Sequence, residues 1–200
     1  MASEQTKKDI HWNYFLAIEQ DLIEVARYIE FAEDNFDAYS IELAHLLMAS
    51  ASEVDVIAKL LSKQLSSSSR PSNITDYKNI ITRHISDICK FKIYIPRFGI
   101  ELVPWSDWKI DKNPSWWKAY TDVKHHRNDK YKQANLKHTL NATAALLTVL
   151  FYYYRELLTS VGQDFNINVL QKEVTRRYMQ PPSSLLKLED DFYYHTRITT

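Results

Sequence analysis

From Trp12 to about Ala32 the apolar residues Trp12, Phe15, Leu16, Leu22, Ile23, Ala26 and Ile29 fall at helical spacing, with acids over much of the remaining surface. That spacing predicts a surface helix with one face on a core. A second helix is expected to start at Asp37 or Ser40, because Leu43, Leu46, Leu47, Val54, Ile57 and Leu61 continue the same period. Ser50 lies on that stripe, where its small side chain would let a neighbouring helix approach closely, so this helix is expected to be central. Serines 66–69, Arg70 and Pro71 break the pattern and predict an exposed loop. Asn73 or Thr75 then caps a third helix through Cys89, with Ile74, Tyr77, Ile81, Ile85 and Ile88 on its apolar side.

Between Phe91 and Pro104 the period changes to the alternation of FKIYI and IELV around Pro96 and Gly99, which predicts a small β-hairpin. Ser115 is a candidate cap for a helix carrying Trp116, Trp117, Tyr120 and Val123. A last long helix is expected from Lys132 or Ala134 to Thr159, with Leu136, Leu140, Ala144, Leu147 and Phe151 facing inward; residues 127–133 fit either a bend or a continuous helix. Its most apolar stretch, Ala142 to Tyr154, falls short of the roughly 20 residues needed to cross a bilayer. It reads as a buried helix, and no membrane partner is expected. The predicted architecture is all-α or mainly α, a helical bundle with a hairpin insertion around residues 91–104. Residues 1–200 form a single domain in this reading, with 161–200 an extension of short elements packing on the core.

Composition narrows the chemistry. Only Gly99 and Gly162 occur, so glycine-rich phosphate loops and dinucleotide fingerprints are absent. Cys89 is alone, which excludes an intrachain disulfide framework and a cysteine-based zinc knuckle. The opening MASEQTKKDIHW lacks the apolar stretch of a secretory signal, so cytoplasmic residence is expected. Lys plus Arg and Asp plus Glu balance at 25 each, yet unevenly along the chain. Glu19 to Asp55 carries ten acids and one base, Arg27, whereas Lys118 to Lys137 carries six bases against Asp122 and Asp129. Either these segments attract each other inside the fold or they form opposite poles of the surface.

The densest polar constellation is the run from Trp116 to Tyr131, WWKAYTDVKHHRNDKY. A continuous helix would place Trp116, Tyr120, Val123 and Arg127 on one face and Asp122, His126 and Lys130 on another. His125 and His126 are suited to proton exchange near neutral pH, and Arg127 to holding a phosphate. Metal-independent RNA cleavage would use such groups to deprotonate a 2′-hydroxyl and steady the phosphate it attacks. The competing reading is structural: these groups cap, pair with the acidic helices and fix the packing. Glu53 interrupts an apolar run and needs a partner, with Lys124, Arg127 or His126 as candidates, while Asp55 is expected to face solvent. Asp122 and His126 supply no third metal ligand by spacing and HExxH is absent, so neither a metal nor a cofactor is expected. His11, His45, His84, His138 and His195 stand at single positions without a ligand pattern. Trp105, Trp108, Trp116 and Trp117 suit either base stacking or, the preferred reading, closure of a core beneath the hairpin. No hydrolase elbow or cysteine-protease signature surrounds a serine or Cys89.

The series ASEVDVIAKLL, WWKAYTDVKHHRND and ANLKHTLNATAALLTVLFYYY resembles helical proteins of the HEPN group found in prokaryotic nucleases, toxins and defence systems, over about residues 10–160. The resemblance implies a helical bundle, a homodimer and, in active members, a metal-independent endoribonuclease motif of an Arg, a polar residue and a downstream His. Arg127 and Asn128 match its first part, and Glu53 resembles the acid an earlier helix often contributes. Lys132, Gln133 or Ala134 stands where the downstream histidine belongs, while His125 and His126 precede the arginine. The expected role is therefore a non-catalytic binding or regulatory component acting on a protein or RNA partner. Lys118, Lys124, Lys130, Lys132 and Lys137 would then contact RNA. The alternative is an endoribonuclease in which Arg127, His126 or His125, Glu53 and Asn128 form the site, with His138 a second substitute for the missing base.

Overall fold

The structure, a computed structural model, describes residues 2–160 and 165–194. Its first helix, α1 (Ala2–Val25), buries Trp12, Phe15, Ile18 and Leu22. It ends earlier than the apolar period suggests. Arg27 and Tyr28 donate to carbonyls only three residues back, and the chain turns so that Phe31 drops into the core against Phe98, ring centroids 4.9 Å apart. Ser40 caps α2 (Ile41–Leu65), its hydroxyl accepting from the Leu43 amide at 3.1 Å. Asn73 caps α3 (Ile74–His84) by accepting from the Thr75 and Asp76 amides. Here the expected continuation to Cys89 fails: Ile85 is non-helical, and a 3-10 turn over Ser86–Lys90 carries Ile88 inward instead.

Strands β1 (Ile93–Ile95) and β2 (Ile100–Leu102) pair antiparallel with Ile93 opposite Leu102, as the alternation predicts. The turn between them needs Gly99 at φ 64°; a Cβ there would meet nothing within 4 Å, so the backbone conformation rather than space calls for glycine. Next come α4 (Ser115–Lys130), α5 (Leu136–Thr159) and α6 (Ile167–Tyr178). Ser115 is not the cap of α4. It is the first helical residue, following Pro114, and its amide donates to Asp107 Oδ2 at 3.0 Å. Asn135 caps α5 by accepting from the His138 amide.

The bundle is built on α2 against α5. Ser50 meets Thr143 at the crossing, their hydroxyls 3.0 Å apart and fully buried, which is the close approach its small size allows. Thr139, Thr143 and Thr148 can be buried on α5 because each hydroxyl donates to the carbonyl four residues back. Leu136, Leu140, Ala144, Leu147 and Phe151 are all buried, so the fold is a mainly α bundle with a small hairpin insertion. Trp105, Trp108 and Trp116 form one buried cluster, Trp105 lying 4.1 Å from Trp108 and 5.2 Å from Trp116 by ring centroids. They close the core and are not open to a base.

The chain after α5 is held by α1. Trp12 Nε1 donates to the Pro181 carbonyl at 3.0 Å, and the buried Glu19 carboxylate accepts from the amides of Ser184, Leu185 and Leu186 at 2.8–3.0 Å. Lys187 and Tyr94 exchange both backbone hydrogen bonds, adding a bridge on the free edge of β1. Among the described residues, no helix is long and apolar enough to cross a membrane.

Candidate functional site

Helix α4 buries Trp116, Ala119, Tyr120 and Val123, the face its spacing predicts. Arg127 does not extend that face. His126 has φ −134° and ψ 41°, so the helix kinks there and carries its last turn off the bundle, leaving Arg127 exposed. His125, His126, Arg127 and Asn128, with Lys124 and Asp129, line one shallow open depression on this kinked end. On the solvent side of α4 the hydrogen bond from Lys118, 2.5 Å away, keeps the Asp122 carboxyl below the usual range, and the charges of Lys130 and His126 add to it across the kink that breaks the continuous helix.

All five lysines are exposed. Lys118 pairs with Asp122, and Lys124 Nζ donates to the Tyr120 hydroxyl at 3.2 Å while lying over its ring. Lys130, Lys132 and Arg127 make no side-chain hydrogen bond or salt bridge among the described residues. Lys137 opens onto a separate cleft of about 750 Å3 that it shares with Glu30, Glu33 and Phe98. Several acids between Glu19 and Asp55 are held away from the basic end of α4. Glu24 pairs with Arg27, Glu42 with His45, Glu53 with His11, and Glu19 is enclosed by backbone amides. Asp55 accepts from the Tyr77 hydroxyl at 3.0 Å and is half-buried rather than facing solvent.

Glu53 departs furthest from expectation. Its Oε1 accepts from His11 Nδ1 at 2.6 Å, so its partner comes from α1 and not from Lys124, His126 or Arg127. Helix geometry gives the reason: Glu53 lies about 18 Å along α2 from Ile41, whereas the end of α4 packs at the Ile41 end through Tyr39 and Tyr131. The acid therefore does not join the Arg127 and His126 cluster. His138 does not join it as a base either. Burial holds its imidazole below the ordinary pKa, and its Nδ1 donates to the Gln133 carbonyl at 2.9 Å, tying the turn before α5 to the helix. His84 bonds the Ile80 carbonyl, and His195 lies outside the described residues. Among the described residues no group of three His, Cys, Asp or Glu side chains is placed to hold a metal ion.

Sequence reasoning missed an aromatic pair beside this end. Tyr39, just before α2, and Tyr131, just after α4, meet edge to face with centroids 5.6 Å apart. Tyr131 closes the basic run and was visible as such; nothing in the local pattern of Tyr39 announces its neighbour. No protein-family model, curated protein or solved structure matches the chain. Function therefore rests on this geometry.

Proposed function

We propose that the protein is a non-catalytic nucleic-acid-binding module that takes a phosphate backbone, RNA by its HEPN-like resemblance, on the kinked basic end of α4. The observation that carries this reading is the exposed charge: among the described residues Arg127, Lys130 and Lys132 make no side-chain hydrogen bond or salt bridge, while Glu19, Glu24, Glu42 and Glu53 hold other partners. Exposed lysines and arginines bind phosphates by releasing counterions, which needs no enclosed cleft and suits a shallow open depression. The non-catalytic reading is favoured because Glu53, the acid the resemblance assigns to the site, is bound to His11 instead of to Arg127 or His126.

Fluorescence anisotropy with a labelled RNA tests the proposal. Wild type should bind at low salt, with log affinity falling linearly in log salt. A triple variant, Arg127→Ala with Lys130→Ala and Lys132→Ala, should bind weakly and lose about two from the slope, near 0.7 per single-strand phosphate contact. A folded wild type that binds no nucleic acid at low salt overturns the reading and leaves a protein partner. The placement of His125, His126, Arg127 and Asn128 around one depression favours a second reading, the metal-independent endoribonuclease. RNA cleavage in EDTA that both Arg127→Ala and His126→Ala abolish would establish it. The homodimer is part of the same HEPN-like proposal, and sedimentation tests it against the 23.6 kDa of one chain.

A further inference from the structure

We infer that Tyr39 and Tyr131 form a stacking platform for an unpaired base, so that the nucleic acid taken by the end of α4 is single-stranded. The inference rests on the backbone-binding reading above and adds the class of ligand to it. Tyr39 is 46% exposed and Tyr131 half-buried, and their rings stand at 84° to each other. In that arrangement one ring buttresses the other with its edge, which holds an exposed aromatic surface in place.

The backbone fixes the pair from both sides. The Leu136 amide donates to the Ala38 carbonyl at 2.9 Å and the Lys137 amide to the Phe36 carbonyl at 3.1 Å, so the segment carrying Tyr39 is laced to the segment following Tyr131. A platform already held in place loses little freedom when a ligand arrives.

Charge and shape agree. Lys130 and Lys132 flank Tyr131 in the chain, Arg127 lies one turn earlier, and Ile41, 64% exposed, adds apolar surface next to Tyr39. Asp37, Glu42 and Asp129 are acids of this neighbourhood, Asp37 lying beside Lys137 and His138 and Glu42 turned to His45, so that the lysines and Arg127 outnumber them at the Tyr131 end. The other exposed tyrosines lack the combination. Tyr14, on α1, has no aromatic ring against it among the described residues, Tyr28 stands among Glu24, Glu30 and Arg27, and Tyr194 donates to Glu173 beneath Lys172. All five tryptophans are buried or packed on the core. Aromatic faces beside lysines hold single strands, because every base has a π-face to offer once it is unstacked; in a duplex those faces are already occupied.

The test is anisotropy with three labelled probes at one salt concentration: a single-stranded RNA of about 12 nucleotides, the same sequence as DNA, and the RNA duplex. Wild type should prefer the single strands. Tyr39→Ala and Tyr131→Ala should each weaken single-strand binding about tenfold, leaving duplex affinity and the salt slope unchanged, while Tyr39→Phe and Tyr131→Phe retain binding. Equal binding of RNA and DNA single strands supports the platform, since the base face is common to both. Equal affinity for single strands and duplex, untouched by either alanine variant, overturns the inference while the backbone-binding reading stands. Absence of binding to all three probes by folded wild type overturns both.

Discussion

Glu19 is the buried anchor of the C-terminal segment, and its replacement by alanine should release that segment from α1. Its Oε1 accepts from the amides of Leu185 and Leu186 at 3.0 and 2.9 Å, and its Oε2 from the amide of Ser184 at 2.8 Å. Leu186 is fully buried and Leu185 nearly so. Without the carboxylate their two amides have no acceptor and no water, at about 1–3 kcal/mol each, so Glu19→Ala should cost about 2–6 kcal/mol if the segment stays docked. The cost is capped by the free energy that docks residues 181–194, since an undocked segment regains water for its amides. Glu19→Gln should fall between, because its carbonyl oxygen still serves Leu185 and Leu186 while its amide meets the Ser184 N–H donor to donor. Urea unfolding reads the global effect, and hydrogen exchange by mass spectrometry over residues 181–194 reads the local one. Glu19→Ala with the wild-type midpoint and unchanged protection of residues 184–186 would refute the reasoning.

Two further outcomes follow from the packing and charge. Trp116 Nε1 donates to the Pro104 carbonyl at 2.8 Å inside the core, whereas Trp105 Nε1 has no partner among the described residues. Trp116→Phe should therefore destabilise by about 1–2 kcal/mol more than Trp105→Phe in urea unfolding, and equal losses would contradict the assignment. Glu173 is gripped by the Arg176 fork, with Arg177 and Tyr194 adding donors, and its pKa is lowered to about 2. A folded pKa below the unfolded one contributes stability above the ordinary carboxylate range, lost as pH falls through the folded value. Thermal midpoints should thus decline from about pH 5 to about pH 2 in wild type, and Glu173→Gln should flatten part of that slope.

What the chain shows in advance and what it hides divide along one physical line. Periodicity records which side of an element is apolar, so the faces of α2, α4 and α5, the Ser50 approach, the Asn73 cap and the hairpin at residues 93–102 are all legible. Helix ends are less so, because α1 and α3 stop where Phe31, Ile85 and Ile88 are drawn into the core by other elements, a tertiary pull that local propensity does not carry. The candidate site follows the same division. That Lys124, Arg127, Lys130 and Lys132 lie near one another is written in their spacing, and only the kink at His126 turns Arg127 from an expected packing position into an exposed one. Pairings between distant segments were not legible: Glu53 meets a histidine 42 residues away, Glu19 meets amides 165–167 residues away, and Tyr39 finds Tyr131. Glu53, which the sequence offered to the basic helix, and Glu19, from the same acidic stretch, are thereby spent on holding the fold together. Their diversion leaves the end of α4 positively charged, and an aromatic pair assembled by the same tertiary folding stands beside it.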